Sequence, residues 1–153
     1  MTTPFSVVAA AEHARPARKG ELLDLTRELE LRALAAPPAF VMATLQDVRY
    51  LTRRTRDVYT RLAAAGSPAT LHGRGLTSWI APGVVGVALD DDDPLVDEWV
   101  LVLPVAGEPM VFAATDLDVD HEDDLDRSFS FAVSRDPQVV DECARLLTSP
   151  SRR

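Results

Sequence analysis

Apolar residues recur at helical spacing near both ends of the chain. Between residues 20 and 36 they fall at intervals of three and four, with acidic residues mostly in between. These positions are Leu22, Leu25, Leu29 and Ala33. The spacing predicts an amphipathic helix that ends at the proline pair 37–38. Near the other end, Asp136 and Pro137 are typical of the capped start of a final helix.

A middle helix is predicted from a cap at Asp47 to about Ala65, with a stop at residues 66–68. Its apolar stripe is Val48, Leu51, Thr55, Val58 and Leu62. The same segment holds five of the sixteen basic residues: Arg49, Arg53, Arg54, Arg56 and Arg61. On one continuous helix Arg49, Arg53 and Arg56 share a face, because they lie four and then three residues apart.

Short apolar runs bounded by turn residues predict strands in the rest of the chain. They cover residues 39–45, 69–72, 83–89, 98–104, 110–115 and 129–133. A buried strand is favoured over a helical segment for the first of them, because of its length and its Phe and Val content. In the run 98–104 both alternating faces are apolar, which predicts a central strand covered on two sides. Residues 105–109 predict a hairpin turn, and residues 72–75 a flexible turn after a strand that ends near His72.

The order of these elements predicts an α/β (α+β) fold with a single mixed, largely antiparallel sheet and helices packed on it. The length of 153 residues fits one domain. We expect that domain to cover residues 19–149. Residues 1–18 are expected to form a flexible arm or a short docking segment, and residues 150–153 a frayed tail.

The composition of the chain bears on where in the cell the protein is expected to act. No stretch approaches the roughly 20 apolar residues that a membrane span needs. The start of the chain has no basic segment ahead of its apolar run, so no signal peptide is expected. The single cysteine, Cys143, rules out an internal disulfide, which favours the reducing cytoplasm. Fifteen of the sixteen basic residues are arginine, which is typical of a GC-rich bacterial genome such as that of an actinobacterium.

The net charge of −8 is unevenly distributed. Residues 1–75 carry eleven basic and seven acidic side chains, whereas residues 76–153 carry five basic and seventeen acidic ones. An acidic chain argues against broad nucleic-acid binding, because phosphate contacts drive that affinity. The basic helix remains a candidate for binding phosphate, an acidic ligand or a partner. The alternative is a solvated face, or one that pairs with the acidic half.

Two acidic stretches invite a metal-binding interpretation. Asp116, Asp118 and Asp120 match the first ligand positions of a calcium loop. The match then fails, with His121 in place of glycine and Arg127 in place of the bidentate glutamate. A solvated loop is favoured for residues 116–126, whose role stays open. A solvated turn is also favoured for residues 90–93, where charge beside two apolar strands opposes aggregation. No metal and no cofactor is predicted.

No catalytic constellation stands out along the chain. The histidines lie in three different contexts, and no nucleophile elbow or phosphate-binding loop occurs. Cys143 lies on the apolar face of the last helix, where a buried structural thiol is favoured over a nucleophile. Trp79 is equally well explained as core or as the wall of a cleft, and Trp99 as core. We therefore do not expect an enzyme.

The order of the segments also carries a family resemblance. The order includes the Arg-rich helix RRTRDVYTRLAA. The most specific pieces of the resemblance are Pro94-Leu95 with Glu98-Trp99 leading into the central strand, and residues 127–131 followed by Asp136-Pro137 and the last helix. Residues 20–148 resemble the DICT sensory domain, named for its occurrence in diguanylate cyclases and two-component systems. The resemblance implies a signal-input module without catalytic residues, of a kind often joined to output domains. This chain leaves no room for such a domain, so a separate output or regulatory protein is the expected partner.

The leading hypothesis is thus a non-enzymatic sensory or regulatory domain that binds a small ligand or a partner protein in bacterial signalling. The alternative is a ligand-free protein-interaction adaptor that docks through the arginine-rich helix or the acidic face. DNA binding through that helix ranks third. A homodimer fits an input module, and no membrane partner is expected. The candidate binding residues are Arg49, Arg53, Arg56, Tyr59, His72 and Trp79.

Overall fold

Eight strands join into one sheet in the computed structural model, which describes residues 1–117 and 124–149. The helices are α1 (Pro4–Ala11), α2 (Lys19–Ala35), α3 (Arg53–Ala64) and α4 (Pro137–Leu147). The strands are β1 (Arg15–Arg18), β2 (Val41–Asp47), β3 (Ala69–Arg74), β4 (Trp79–Ala81), β5 (Val84–Ala88), β6 (Glu98–Leu103), β7 (Met110–Asp116) and β8 (Ser128–Ser134). Most of the acidic loop and the predicted frayed tail at 150–153 lie outside the described residues.

The strand order is β1-β8-β7-β6-β2-β3-β5-β4. Only the β2–β3 and β3–β5 pairs are parallel, and every other neighbouring pair is antiparallel. The predicted fold class, one mixed and largely antiparallel sheet with helices packed on it, is therefore confirmed. Within the described parts of the chain, no helix is long and apolar enough to cross a membrane.

Helices cover both faces of the sheet. The apolar side chains of α2 and α3 pack on one face, and those of α1 and α4 pack on the other. Strand β6 is buried on both sides: Leu101 and Leu103 face the α2–α3 layer, while Val100 and Val102 face the α1–α4 layer. The prediction of a central, doubly covered strand is confirmed.

The first eighteen residues are not a flexible arm. Thr3 caps α1, and its hydroxyl accepts a hydrogen bond from the Ser6 amide while the Ser6 hydroxyl returns one to the Thr3 backbone. Val8 of α1 is fully buried against the α4 layer. Strand β1 then pairs with β8 along the outer edge of the sheet, with Pro16 opposite Ser130. The alternative expectation, a short docking segment, describes these residues better, because they pack on α4 and pair with β8, which lie far away in sequence.

The middle helix begins five residues later than predicted. Asp47 does accept a hydrogen bond from the Arg49 amide, but it caps only a 3₁₀ turn at Val48–Tyr50. Thr52 caps α3 through the Thr55 amide. Asp47 and Thr52 can both cap a helix, and they lie five positions apart. Asp47, the first of the two, starts the short 3₁₀ turn, and Thr52 starts the helix. Arg49 therefore does not share a helical face with the α3 arginines.

Residues 72–74 belong to strand β3 and do not form the predicted flexible turn. Parallel pairing with β2 and β5 on either side holds them extended. His72 is almost fully buried, and its ring nitrogens lie 3.4 Å from the Ala43 carbonyl oxygen and 3.1 Å from that of Leu147. The imidazole thus ties the carboxyl end of α4 to the sheet. A short edge strand, β4, also went unpredicted.

Replacing Gly86 with alanine is expected to destabilise the edge of the sheet. A methyl group at this buried position would lie 2.0 Å from the Thr77 carbonyl oxygen, so the backbone must move. Overpacking of this kind costs about 1–3 kcal/mol. Gly20 of α2 is the matched control, because its nearest obstacle is a carbonyl oxygen 3.8 Å away. Gly20→Ala should leave the protein as stable or raise its stability by up to about 1 kcal/mol. Urea unfolding of both variants tests the pair, and equal stabilities would contradict the close approach at Gly86.

Candidate functional site

A cleft of about 870 Å³ opens beside the carboxyl end of β2, on the face of the sheet that carries α2 and α3. Its walls come from six separate parts of the chain: α2, the end of β2, the 3₁₀ turn with α3, β6, the end of β7, and the turn at 124–127. The lining side chains include Lys19, Leu23, Arg27, Glu30, Leu45, Gln46, Arg49, Tyr50, Thr52, Arg54, Thr55, Tyr59, Trp99, Asp116, Asp124 and Arg127.

A bulge in β2 shapes the floor of the cleft. Thr44 lies opposite His72 of β3, but Gln46 lies opposite the very next residue, Gly73, so Leu45 is an extra residue. Gln46 has a φ of 68°, the only positive φ of a non-glycine residue in the part of the chain that the structure describes. The Thr44 hydroxyl holds the region to β6, donating to the Glu98 carbonyl oxygen (2.7 Å) and accepting from the Val100 amide (2.8 Å). Bulges re-aim the side chains that follow them, often beside functional sites.

A buried polar group links α2 to α3 at the back of the cleft. The guanidinium of Arg54 donates to the Glu30 carboxylate at 3.1 Å, and the Glu30 side chain is only 8% exposed. Burial, together with the neighbouring Glu30 carboxylate, raises the pKa of Tyr59 well above its usual value. The phenol therefore stays protonated and hydrogen-bonds to Glu30. These three side chains fix the spacing of the two helices.

A cationic cluster surrounds Tyr50 at the mouth of the cleft. The ammonium of Lys19 lies 4.0 Å from the centre of the Tyr50 ring, and the guanidinium groups of Arg49 and Arg127 lie 5.0 and 5.4 Å from it. At these distances a cation is attracted to the face of an aromatic ring. Arg127 also donates to the Tyr50 hydroxyl. Three positively charged groups therefore lie close together around the Tyr50 ring.

Two carboxylates neutralise part of this cluster. Asp116 accepts a hydrogen bond from Arg127, and Asp124 accepts from both Lys19 and Arg127. Partial burial opposes ionisation of Asp124, but the hydrogen bonds from the two cations outweigh it and lower its pKa. Burial likewise opposes the charge on Arg127, and its bonds to the carboxylates raise its pKa. The hydrogen bonds within the cluster thus favour the charged forms of Asp124 and Arg127.

Aromatic packing supports the inner wall. Trp99 is half-buried and lines the cleft, and its ring meets Phe112 and Phe129 edge to face at centroid distances of 5.5 and 5.6 Å. Trp99 therefore joins the core, as predicted, and also gives the cleft an apolar surface. Leu23 of α2 and Leu45 of β2 extend that surface.

The structure separates the six residues predicted to form a site. Arg49 and Tyr59 line the cleft. Arg53 and Arg56 are exposed on α3 and are not part of the cleft wall. His72 contacts α4 on the opposite face of the sheet. Trp79 is 67% exposed on β4 and is neither core nor cleft.

Cys143 and the candidate metal ligands are the other reactive side chains that the sequence analysis considered. Cys143 is fully buried, and burial, with the nearby Glu142 and Glu98 carboxylates, raises the pKa of its thiol to about 12. The predicted buried structural thiol is confirmed. No group of three or more His, Cys, Asp or Glu side chains able to hold a metal ion occurs in residues 1–117 and 124–149. Asp118 and Asp120 of the calcium interpretation lie outside those ranges.

Comparison with known proteins supports the fold alone. No family model matches the chain, and no curated protein matches it in sequence. A polyphosphate kinase from Porphyromonas gingivalis is similar in structure, with a TM-score of 0.54 and 17% identity over 90% of this chain and 24% of the kinase. TrmBL2, an archaeal chromatin protein described with a novel mode of DNA binding, aligns with a TM-score of 0.51 and 14% identity over 90% of this chain and 51% of its own. The chain thus spans about a quarter and a half of these two proteins.

Proposed function

We propose that this chain is a non-enzymatic sensory or regulatory domain that binds a small ligand in the cleft beside β2. It would act in bacterial signalling, in the cytoplasm, with a separate output protein as its partner. The observation that carries the proposal is the cleft itself, which has a volume of about 870 Å³ and combines charged side chains with an apolar wall. Ligand sites have this size and this mixture of surfaces.

The state of the charged groups favours binding over catalysis. Glu30, Asp116 and Asp124 are each held by a guanidinium or ammonium group. The Tyr59 phenol is kept protonated by burial and by Glu30. A general base needs a pKa near the working pH and access to the proton that it removes. Groups that are already paired with an opposite charge are poorly suited to take up a proton. They are suited to binding a ligand and to fixing the positions of the helices and strands around it.

The position of the cleft offers a way to transmit binding. A ligand there would contact α2, α3 and the turn at 124–127 at once, because all three contribute to its wall. Binding that favours one spacing of these elements shifts their equilibrium by the difference in affinity for the two spacings. The outer surfaces of α2 and α3 would then report the ligand to a partner.

Blocking the cleft tests this proposal. Thr55, in the first turn of α3, lines the cleft, and Thr60, on the same helix, does not. Both are half-buried, so Thr55→Trp and Thr60→Trp are matched substitutions. Native mass spectrometry of the gently purified protein should show a stoichiometric extra mass. We expect Thr55→Trp to lose that mass and Thr60→Trp to keep it.

Thermal melting of the same variants supplies the control. Both tryptophan variants should melt as cooperatively as the parent chain, so that lost binding is not lost folding. A parent protein without bound mass, together with a ligand screen that stabilises all three proteins equally or none of them, would contradict a ligand site in this cleft.

One observation favours the adaptor as a second candidate. Arg53, Arg56 and Arg61 are exposed on α3, and none of them forms an ion pair within the described residues. Such a surface suits an acidic partner. Capture of that partner should weaken steeply as salt rises, because exposed charges are screened. Reversing Arg56 to glutamate should abolish capture and leave ligand binding unchanged.

A further inference from the structure

The cleft has an excess of positive charge after its internal ion pairs are counted. Five cationic side chains line it against three carboxylates. Arg54 pairs with Glu30, Lys19 with Asp124, and Arg127 with both Asp116 and Asp124. Arg27 and Arg49 have no carboxylate partner in residues 1–117 and 124–149. The wall therefore favours a ligand that carries negative charge.

The start of α3 adds to this preference. Thr52, Arg54 and Thr55 of its first turn all line the cleft. The Thr55 amide is capped by the Thr52 hydroxyl, and the Arg56 amide bonds to the Thr52 carbonyl oxygen. The preceding amides of the first turn have no partner inside the helix. They form the positive end of the helix dipole, which attracts anions.

Gln46 supplies an observation that is independent of the net charge and of the helix end. The residue is 93% buried, and it lines the cleft from the bulge in β2. Its side-chain amide has no hydrogen-bond partner among the described residues and is not completely buried, so it is accessible from the cleft that the residue lines. Its φ of 68° lies in the left-handed region that non-glycine residues rarely adopt, and such strain persists only where the surroundings enforce it. An amide held in this way in the wall of a cationic cleft can donate a hydrogen bond to a bound anion.

We propose that the cleft binds a small organic oxyanion, with its phosphate or carboxylate group held by Arg49, by the amide of Gln46 and by the N-terminus of α3. The apolar part of the ligand would lie against Leu23 and Trp99 on the inner wall. This inference rests on the proposed ligand-binding function and specifies its ligand class. The Tyr50 ring holds Arg49 at the mouth of the cleft, 5.0 Å from the ring centre, where the guanidinium can reach an incoming anion.

The test uses pyrophosphate, inorganic phosphate and citrate as probes, at constant ionic strength set with sodium chloride. At ten times its Kd, a probe that binds the folded chain should raise the melting temperature by about 3–6 °C. Stabilisation by pyrophosphate or phosphate assigns a phosphate-bearing ligand, and stabilisation by citrate alone assigns a carboxylate. Calorimetric titration then gives the Kd for the variants.

Arg49→Gln and Arg53→Gln form the matched pair, since each removes one arginine but only Arg49 lines the cleft. We expect Arg49→Gln to weaken probe binding about tenfold or more, and Arg53→Gln to change it by less than about twofold. Gln46→Gly should also weaken binding about tenfold. It should leave the chain as stable as the parent or more stable, because glycine adopts a positive φ without strain.

Two outcomes would overturn the inference: no probe stabilises the parent chain, or Arg49→Gln and Arg53→Gln weaken binding equally. Either outcome would leave the proposed ligand-binding function to be judged separately. If native mass spectrometry shows a ligand that Thr55→Trp removes while no anion binds, the chain is a ligand-binding domain for another chemical class. If neither a bound mass nor a probe is detected, both proposals fail together.

Discussion

Replacing Phe112 with alanine is expected to lower the free energy of unfolding by about 3–5 kcal/mol. Phe112 is fully buried on β7, and its ring contacts Trp99 edge to face and Phe131 at a centroid distance of 6.3 Å. The substitution removes a whole ring from the layer between the sheet and α2. Chemical denaturation followed by circular dichroism measures the loss.

Phe40 provides the control for the same substitution. It lies just before β2 and is 36% exposed, so Phe40→Ala should cost less than about 1 kcal/mol. Because the Trp99 ring packs edge to face against Phe112, the milder Phe112→Leu should also change tryptophan fluorescence. It should weaken the binding of any ligand in the cleft. Equal losses of stability at positions 112 and 40 would show that the aromatic cluster does not support the sheet as described.

Replacing Val8 with aspartate is expected to release α1 from the sheet. Val8 is fully buried, and an unpaired carboxylate at such a position costs several kcal/mol, about 3 or more. The expected signal is chemical, because α1 covers Cys143: the thiol lies 3.7 Å from the Pro4 carbonyl oxygen. In the parent chain the thiol should react with Ellman's reagent only after denaturation, since it is buried and its pKa is about 12. In Val8→Asp it should react in native buffer.

Ala10→Asp is the matched control, because Ala10 is exposed on the same helix. It adds the same charge and should leave the thiol protected. Rapid labelling of the parent chain and of Ala10→Asp would mean that α1 does not cover Cys143 in solution, and the predicted flexible arm would then be the better description. Cys143→Ala confirms that the signal comes from this thiol.

Six of the eight strands, all except β1 and β4, were predictable because each carries its own signal. The alternation of Trp99, Leu101 and Leu103 with two valines predicted a doubly covered strand, and β6 is one. The hairpin between β6 and β7 followed from the turn residues that separate two apolar runs. Elements whose stability comes from distant partners were missed. Helix α1 is only eight residues long, too short to be stable without the packing of α4 and the sheet.

The candidate site was only partly predictable for the same reason. The sequence pointed to the arginine-rich segment, and Arg49 and Tyr59 do line the cleft. Arg54 was noted only for charge, although its pairing with Glu30 places it at the back of the cleft. Arg127 was considered as a failed calcium ligand and as part of the family resemblance, but not as a residue of a binding site. Nothing in the run VMATLQD signals a bulge at Leu45, because that irregularity arises from pairing with β3 and β6 on the two sides.

Both borders of the sheet are poor templates for another strand. At one border β1 carries Pro16, which has no amide hydrogen to donate, between the charged residues Arg15 and Arg18. At the other border β4 is three residues long and its register with β5 shifts within that length. Short, charged or irregular edges resist the edge-to-edge growth that leads to fibres. Two copies of this chain should therefore associate through side-chain surfaces. Each copy should keep its own eight-stranded sheet, and the two sheets should not join into a continuous sixteen-stranded one.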